Sequence, residues 1–315
     1  MEYKVEAIKP EYMKQLYTML WRSYPNHYES SPQDFFKPYI ENDPFHFNDN
    51  VRVIMDNEVI AGVIKIFYRE TFINSEKKLL GGVGLVAVNP EYRGKGLAGI
   101  LMNDIVSFMS QHKYNVSLLF AGPIPLYEKY GWKSMKTKEW FFSDFNIKST
   151  TDAVLLRPIS WVEDYSLIYK IHDTMIRRYN LGIIRNPAYW INYVNNFTAK
   201  KSRFFCIEID GEIKGYIIFK HNLKDNNILI QEYGVLDDKF IEPLILSLAK
   251  RIKFVSVSVN SSGENTGLIK YLKNISNNIE SNYADGMMFR NINDDINTED
   301  KDFHDNTLFF GTDSF

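Results

Sequence analysis

Apolar and polar positions in the first 90 residues predict two helices followed by three strands. In "PEYMKQLYTMLWRSY" (10–24), apolar residues recur at helical spacing after a proline, which indicates a helix, and a second helix is predicted in the polar stretch that follows. The segment "VRVIMDNEVIAGVIKIFYRETFI" (51–73) contains two β-patterned runs joined at the turn "DNE", which is typical of a hairpin. The run "LLGGVGLVAVNP" (79–90) then predicts a buried strand that ends at Pro90.

The alternation of helices and strands continues to residue 145. An apolar stripe in "GLAGILMNDIVSFMSQHKY" (96–114) indicates a helix, and "NVSLLFAG" (115–122) indicates a buried strand. A short helix is predicted in "IPLYEKYG" (124–131), and a pair of short strands is predicted in "WKSMKTKEWFFSDF" (132–145). The order α, α, β, β, β, α, β, α, β, β predicts an α+β fold around one mixed sheet.

The second half of the chain repeats the pattern of the first half. The segment "FFCIEIDGEIKGYIIFKHN" (204–222) is similar to "VRVIMDNEVIAGVIKIFYR" (51–69), with a glycine at the matching place after the turn, and "FVSVSVN" (254–260) takes the place of "NVSLLFAG". The sequence therefore predicts two copies of one fold, followed by an acidic linker and a tail. The predicted divisions are 1–148, 152–293 and 294–315.

Composition narrows the class of protein. Lysine and arginine total 37 against 39 acidic residues, so the net charge of −2 does not favour a nucleic-acid or polyanion binder. The single cysteine, Cys206, excludes a disulfide framework and a thiolate metal site, and no metal is predicted. The N-terminus has no signal-peptide pattern and no segment has the ~20 apolar residues of a membrane span. These features predict a cytoplasmic protein without membrane contact, and they are compatible with a homo-oligomer.

A glycine-rich, basic loop lies between the predicted strand 79–90 and the predicted helix. A helix N-terminus has unpaired N–H groups and a partial positive charge, which suits an anion. Gly94 and Gly96 would allow a phosphate to approach the main chain, and Arg93 and Lys95 would add charge-assisted contacts. The loop is not a Walker loop, because Lys95 is followed by Gly-Leu, and no acidic residue completes a dinucleotide fingerprint. A tight turn with solvated basic residues is the alternative.

The loop resembles the acetyl-coenzyme A loop of the GNAT acyltransferase superfamily. Residues 93–98 fit its pattern [Q/R]-x-x-G-x-[G/A], and "PLYEKYGW", about thirty residues later, is similar to its tyrosine-bearing helix. The resemblance implies tandem GNAT folds, each a mixed central sheet flanked by helices, with the thioester of acetyl-CoA between strands 82–89 and 115–121. Main-chain amides there would stabilise the oxyanion. The implied acetyl-CoA contacts are Val86, Val88, Arg93, Gly94, Lys95, Gly96, Leu97 and Ala98.

Two GNAT copies with only the first loop intact, and a chain that ends in phenylalanine, are similar to the enhanced-intracellular-survival family. That family acetylates amines of aminoglycosides and lysine-like groups, which implies Tyr127 as general acid and the Phe315 carboxylate as base. The chain departs from the family because only about twenty residues follow the second copy, so its third, sterol-carrier-like domain is not expected. The apolar "TLFFGTDSF" is expected to dock, with the first active site as the candidate position.

The second copy is predicted to be a scaffold that walls the acceptor groove. Asp237 and Asp238 replace the glycine loop there and would repel a pyrophosphate, so this copy is not expected to bind coenzyme A. The acidic run 294–305 is interpreted as a solvated linker, or as a border of the acceptor site that would favour a cationic amine. Glu29 and Asp34 are weaker candidates for a base near the acceptor.

The sequence therefore predicts an N-acetyltransferase that uses acetyl-CoA on a small-molecule primary amine, with a cationic acceptor preferred. Two alternatives stay open at this point. One is an acyltransferase that acts on a peptide or a thiol-sugar intermediate, and the other is a coenzyme A-binding regulatory module without turnover.

Overall fold

The computed structural model describes residues 3–24, 31–147, 154–260, 263–283 and 286–313. The predicted candidates Glu29 and Phe315, and the predicted boundary at 148–152, lie outside these described residues.

The first half of the chain follows the predicted order of elements. Its helices and strands are β1 (Val5–Ala7), α1 (Met13–Ser23), α2 (Pro32–Glu41), β2 (Val51–Asp56), β3 (Val59–Ile73), β4 (Glu76–Val88), α3 (Leu97–Gln111), β5 (Val116–Phe120), α4 (Ile124–Glu128), β6 (Lys133–Ser134) and β7 (Lys138–Phe145). Short 3₁₀ turns lie at Pro10–Tyr12, Asn48–Asn50 and Pro90–Tyr92. The Ser31 hydroxyl caps α2 by accepting the Asp34 N–H at 3.1 Å, which is a common way to begin a helix.

The second half begins with a further helix and strand and then repeats the hairpin of the first. Its elements are β8 (Val154–Pro158), α5 (Tyr165–Ile176), β9 (Gly182–Ile184), a π-helix (Tyr189–Thr198), β10 (Arg203–Ile209), β11 (Glu212–Asn222), β12 (Asn227–Val235), α6 (Ile241–Ile252), β13 (Ser256–Val259), α7 (Gly267–Ile275), β14 (Ser276–Tyr283), β15 (Met287–Asn291) and α8 (Lys301–Asp305). Short 3₁₀ turns lie at Asp238–Phe240 and Gly311–Asp313.

The strands of the described residues form two mixed sheets with helices packed against them. The first sheet has the order β1-β2-β3-β4-β5-β15-β6, and β9 pairs with the end of β3. The second sheet has the order β14-β7-β13-β12-β11-β10-β8. In each sheet the only parallel pairing among the described residues joins the long third strand of the repeat to the next strand, β4 to β5 and β12 to β13. The predicted α+β tandem fold is confirmed.

Strand membership departs from the predicted division of the chain. β7 was expected to complete the first sheet but lies in the second, between β13 and β14. β15, from the predicted second copy, takes the vacant place beside β5 in the first sheet. The two copies therefore exchange their last strands. Alternating side chains predict that a strand forms, but they carry no information on which of two similar sheets it joins.

A shared core holds the two sheets together. It contains side chains of the first sheet such as Phe67 and Leu118, and side chains of the second half such as Ile171, Trp190 and Tyr216, all essentially inaccessible to solvent. Contacts of this kind across the whole boundary make the halves one packed structure. Cys206 lies in the same core, where burial raises the pKa of its thiol to about 11. In the described part of the chain, no helix has the length and apolar character needed to cross a bilayer.

Candidate active site

The first sheet opens between its two parallel strands. β4 and β5 are paired only as far as Val83 and Leu119, although β4 runs on to Val88. A β-bulge at Leu85 and Val86 interrupts the pairing of β4 with β3, and Leu85 has a left-handed φ of 51°. A bulge bends its strand and re-aims the residues beyond it, and β5 ends at Phe120, so the last residues of β4 have no partner in β5. This unpaired end of β4, beside the end of β5, is called here the first opening, or gap.

The main chain of Val86 and Val88 faces this first opening. Asn89 donates its N–H to β3 at 2.9 Å, so by the alternation of a strand Val86 and Val88 point away from β3. Their carbonyl groups face the end of α1, where the Tyr24 hydroxyl donates to the Val86 oxygen at 3.0 Å and the Ser23 hydroxyl lies 3.5 Å from the Val88 oxygen. The N–H groups of both valines therefore point into the gap.

The glycine loop forms an open cradle at the end of the gap. Gly94 and Gly96 have φ values of 79° and 77°, in the left-handed region that glycine adopts without strain. Apart from its two chain neighbours, no described residue has an atom within 4 Å of the place where a Cβ would stand at either glycine. Arg93 and Lys95 are exposed on the same loop, and the Lys95 ammonium lies 4.6 Å from the centre of the Tyr92 ring.

The helix that follows the loop begins with unpaired amides. Gly99 and Ile100 donate their N–H groups to the Gly96 carbonyl, at 3.0 and 3.4 Å, and start the helical hydrogen bonds of α3. The N–H groups of Leu97 and Ala98 precede these bonds, as the first amides of a helix do. With the partial positive charge of the helix end, the cradle has the properties of a phosphate site.

Tyr127 is held beside the gap by the short helix α4, which begins four residues after β5 ends. Its side chain is 8% exposed, and burial raises the pKa of its hydroxyl. The Tyr127 hydroxyl makes no hydrogen bond to any residue that the structure describes. The residues just after α4 also pack on α3. A Cβ at Gly99, in the first turn of α3, would stand 2.7 Å from the Tyr130 hydroxyl oxygen.

Two further tyrosines, Tyr24 and Tyr39, belong to the surroundings of the candidate site. Burial raises the pKa of the Tyr24 hydroxyl, and the charges of Tyr127 and Tyr39 would raise it further. Burial likewise raises the pKa of Tyr39 to about 12, against the opposing charge of Arg69. Tyr24 and Tyr39 were not predicted as site residues, because Tyr24 follows α1 and Tyr39 lies in α2, far from Tyr127 in sequence.

The comparisons with known proteins agree with this geometry. Residues 4–135 match the family model of the acetyltransferase (GNAT) domain. Residues 4–135 are a GNAT acetyltransferase domain. The predicted superfamily and the prediction of an enzyme are thereby confirmed. No curated protein matches the sequence of this chain.

Solved structures extend the likeness over both halves. A GCN5-related N-acetyltransferase from Anabaena variabilis is 20% identical, with a TM-score of 0.74 over 93% of this chain and 73% of the other. Eis1 from Mycobacterium abscessus is 10% identical, with a TM-score of 0.67 over 92% and 74%. Saccharomyces cerevisiae N-myristoyltransferase with bound myristoyl-CoA is 14% identical, with a TM-score of 0.56 over 92% and 82%. At these identities the likeness concerns the fold.

The second sheet contains the same opening, but it is filled. β12 and β13 are paired only as far as Ile230 and Val259, and a bulge at Gln231 follows, as in the GNAT domain. The chain residues Leu308–Phe310 occupy the gap and are 2–3% exposed. The space left there is only about 10 Å³, which is about the least that one water molecule needs.

Residues 308–310 of the tail, for which the first active site was the candidate position, lie at the second opening. The described part of the tail fills the second opening instead, because that gap is lined by apolar side chains such as Val259 and Tyr233 and its strand is not followed by a glycine cradle. Asp237 and Asp238, which replace the loop, lie at the turn after β12, where Asp237 caps the turn and Asp238 forms an ion pair with Arg178 at 2.8 Å.

A buried ionic network holds the end of the described tail. Arg185, which no solvent reaches, donates to both oxygens of Glu232 at 2.9 Å and to Asp313 at 2.7 and 2.9 Å. Tyr216 donates to Glu232 at 2.6 Å. The Thr312 carbonyl accepts from the Thr198 hydroxyl at 2.7 Å, which ties the tail to the π-helix.

A groove of about 630 Å³ lies between α2 of the GNAT domain and the segment that follows the π-helix. The size falls in the range of small-molecule sites. Its described lining residues are Asp34, Phe35, Pro38, Tyr39, Asn42, Asn196, Thr198, Lys200, Lys201 and Lys220. The groove lies close to the end of α1, because Phe35 lines it and the adjacent Phe36 packs on Tyr24 with ring centres 6.2 Å apart, and we call it the acceptor groove.

The acidic run 294–305 does not line the acceptor groove. Asp294 is paired at 2.8 Å with Lys78, near the start of β4, and the opening lies at the other end of that strand. Asp295 and Glu299 border a different pocket, which is also lined by residues of β15. In the described part of the chain, no group of three or more His, Cys, Asp or Glu side chains is arranged to hold a metal ion.

Proposed function

We propose that this protein transfers the acetyl group of acetyl-CoA to a primary amine by direct attack of the amine on the thioester. The observation that carries the proposal is the first opening, which joins a glycine cradle, two inward N–H groups and a buried tyrosine in one gap. The filled second opening supports a single active site per chain.

The cradle suits the diphosphate of coenzyme A. Main-chain N–H groups of Leu97 and Ala98 would hold the phosphate oxygens, and the space beside Gly94 and Gly96 admits them. Arg93 and Lys95 would add charge-assisted contacts. Acetyl-CoA would supply the acetyl group as a thioester.

Val86 and Val88 would act on the carbonyl oxygen of the thioester. As the amine forms its bond to the carbonyl carbon, negative charge develops on that oxygen. Preorganised N–H donors aimed at the developing charge lower the barrier. The bulge in β4 supports this role, because it turns these amides away from the sheet ladder.

Tyr127 would act as the general acid. When the carbon–sulfur bond breaks, the leaving sulfur gains the electron pair, and the Tyr127 hydroxyl would donate its proton to it. Burial raises the pKa of this phenol, so it stays protonated through the neutral range. Its hydroxyl has no hydrogen-bond partner among the described residues, which leaves it available to the sulfur.

The proton released by the attacking amine needs an acceptor, and the Phe315 carboxylate remains the candidate. Phe315 lies two residues beyond Asp313, and two extended residues span roughly 7 Å. The anchored Thr312 carbonyl is bonded to Thr198, which lines the acceptor groove. The described residues next to Phe315 are thus tied to a side chain that lines the groove, which supports this candidate.

Several finer predictions stay predictions from sequence. They are the division of the chain at 148–152, the cytoplasmic location, the oligomeric state and the cationic acceptor. The last of these is not supported by the acceptor groove, since the acidic run that motivated it lies elsewhere. Asp34 does line the groove, but its carboxylate is bonded to the Ser31 hydroxyl at 2.7 Å.

The proposal is tested by following the release of free coenzyme A with a thiol reagent over a panel of amines. We expect release with at least one amine, and we expect Tyr127→Phe to lower kcat by roughly a hundredfold with little change in the affinity for coenzyme A. Tyr114→Phe is the matched control, because Tyr114 is a buried tyrosine of the same core that lies at the other end of β4. Binding of coenzyme A without release for any amine would favour the regulatory module instead.

A further inference from the structure

The acceptor groove has an excess of positive charge. Its described lining contains Lys200, Lys201 and Lys220 but only one carboxylate, Asp34. All three lysines are exposed, and none of them forms an ion pair with a described residue. Unpaired ammonium groups that converge on one groove repel each other and repel a cationic ligand, whereas they attract an anion.

The wall behind the groove adds to this charge. Tyr39 lines the groove, and the charge of Arg69 reaches its hydroxyl. Arg69 and Lys65 are both inaccessible to solvent, and they share a single described carboxylate, Asp43, at 3.0 and 3.6 Å. The Nε and Nη2 atoms of Arg69 have no hydrogen-bond partner among the residues that the structure describes. The described wall therefore has one more positive group than negative groups.

One further carboxylate in the groove would not cancel this excess. The described lining has three ammonium groups against one carboxylate, and one more carboxylate would still leave a net positive charge. Asp313, the last described carboxylate, is already paired with Arg185 in the buried network. A ligand with its own negative charge would balance the described charges of the groove.

We infer that the acceptor is an amine that also carries an acidic group, a carboxylate or a phosphate, and that Lys200, Lys201 and Lys220 bind this acidic group. The inference rests on the proposed function and names its substrate class. The amine would extend past Tyr39 and Tyr24 toward the thioester, and the acidic group would stay at the lysines. The apolar side chains of Phe35 and Pro38 would pack against the part of the acceptor between the two.

The test uses pairs of amines that differ in the acidic group. The pairs are β-alanine and β-alaninamide, 5-aminopentanoate and cadaverine, and O-phosphoethanolamine and ethanolamine. Binding to the full chain with saturating coenzyme A is measured by calorimetry, and coenzyme A release from acetyl-CoA gives kcat/KM. We expect the acidic member of at least one pair to bind at least about tenfold more tightly than its partner. The carboxylate and phosphate pairs distinguish the two acids.

The variant that tests the lysines is the triple change Lys200→Gln, Lys201→Gln and Lys220→Gln. We expect it to weaken binding of the acidic amine about tenfold and not to weaken binding of the partner that lacks the acidic group, because the lysines attract only the negative charge. Lys224→Gln is the matched control, since Lys224 is exposed four residues from Lys220 but does not line the groove. The preference for the acid should also fall as salt is raised.

The two proposals fail in different ways. Release of coenzyme A with neutral or cationic amines, without tighter binding of any acidic partner, would overturn the charge inference and leave the acetyltransferase intact. Tighter binding of an acidic amine that is abolished by the triple variant, without release, would support the charge inference and contradict the proposed reaction. A preference for the acid that survives the triple variant would overturn the assignment of the lysines.

Discussion

The two sheets contain openings built in the same way, with opposite outcomes. In each, a parallel pair of strands ends, the longer strand has a bulge, and a gap follows. The first gap is bordered by the cradle of Gly94 and Gly96, where a Cβ would meet no described atom within 4 Å beyond the two chain neighbours. The second is filled by Leu308–Phe310, with about 10 Å³ left. A gap between parallel strands is therefore not sufficient for a binding site; the residues around it decide whether a ligand can enter.

The residues after the longer strand decide the chemistry of each gap. In the first half, β4 leads to two glycines with left-handed φ and a helix with unpaired amides. In the second half, Asp237 caps a turn and Asp238 binds Arg178, so the same place is used for local structure. The second gap then serves to hold the tail.

The tail also links the two gaps. Phe310 packs on Tyr233 of the second sheet, with ring centres 6.2 Å apart, while the adjacent Phe309 lies 5.5 Å from Phe120 at the end of β5. The packing of Phe310 in the second gap therefore places the adjacent Phe309 against the end of β5, where the first gap begins. Four experiments test this contrast between an open and a filled gap, in order of decreasing effect.

The buried network of Arg185, Glu232 and Asp313 is called here the tail anchor. Removing its guanidinium should cost the most stability. Arg185→Leu leaves the Glu232 and Asp313 carboxylates buried without their cation, and such a loss costs about 4 kcal/mol of the free energy of unfolding. The measurement is urea unfolding at neutral pH. Arg22→Leu is the control, since its ion pair with Glu91 is exposed and is expected to contribute less than about 1 kcal/mol. Equal losses in the two variants would contradict a tail held by Arg185.

Emptying the second gap comes next. Phe310→Ala removes a buried ring from that gap and is expected to cost about 3 kcal/mol, from lost burial and the cavity left behind. Phe47→Ala, at a side chain that is 59% exposed, is the control and should change stability by less than about 0.5 kcal/mol. Calorimetry should still find one coenzyme A per chain, because the emptied gap has no cradle. Binding of a second coenzyme A per chain would contradict this expectation, because it would show that only the tail residues had kept coenzyme A out of the second gap.

Acid should weaken the tail anchor. Burial alone would raise the pKa of Glu232, but the charges of Arg185 and His172 outweigh it and lower that pKa from 4.5 to about 2. The unfolded state therefore takes up this proton first, and stability is lost as pH falls from about 4.5 toward 2, by roughly 3 kcal/mol. The difference in unfolding free energy between the wild type and Glu232→Gln should shrink over that range. A difference that stays constant from pH 5 to 2.5 would contradict the assignment.

A pair of glycine substitutions with a small cost in stability separates the cradle from an ordinary turn. Gly96→Ala and Gly211→Ala both place an alanine at a φ near 77°, with open space around the Cβ, and each is expected to cost about 1 kcal/mol of stability. Only Gly96→Ala is expected to weaken the binding of coenzyme A, by about tenfold in calorimetry, because only Gly96 borders the cradle. Equal affinities in the two variants would argue against a phosphate site at the loop.

Sequence patterns predicted most of the first half because its signals are local. The hairpin turn at Asn57, the end of β4 before Pro90 and the start of α3 after Gly96 each depend on a few neighbouring residues. The repeat in the second half and the loss of its loop could also be seen in the letters of the chain. The GNAT domain was identified from the same short motifs.

The rest depends on contacts between residues distant in sequence. The exchange of β7 and β15 could not be predicted, because both strands have similar alternation and either sheet would accept either strand. The acceptor groove joins Tyr39 of α2 to Lys200 and Lys220, more than 150 residues later, so no local spacing indicates it. The same holds for the pairing of Arg185 with Asp313.

Everything proposed for the reaction requires that coenzyme A binds in the first opening and not in the second. A crystal structure of the full chain soaked with acetyl-CoA decides between the two places. We expect the diphosphate at the main chain of residues 94–98, and the acetyl thioester between Val86 and the Tyr127 hydroxyl. Density for the ligand at β12 and β13, or an empty cradle at saturating acetyl-CoA, would contradict this assignment.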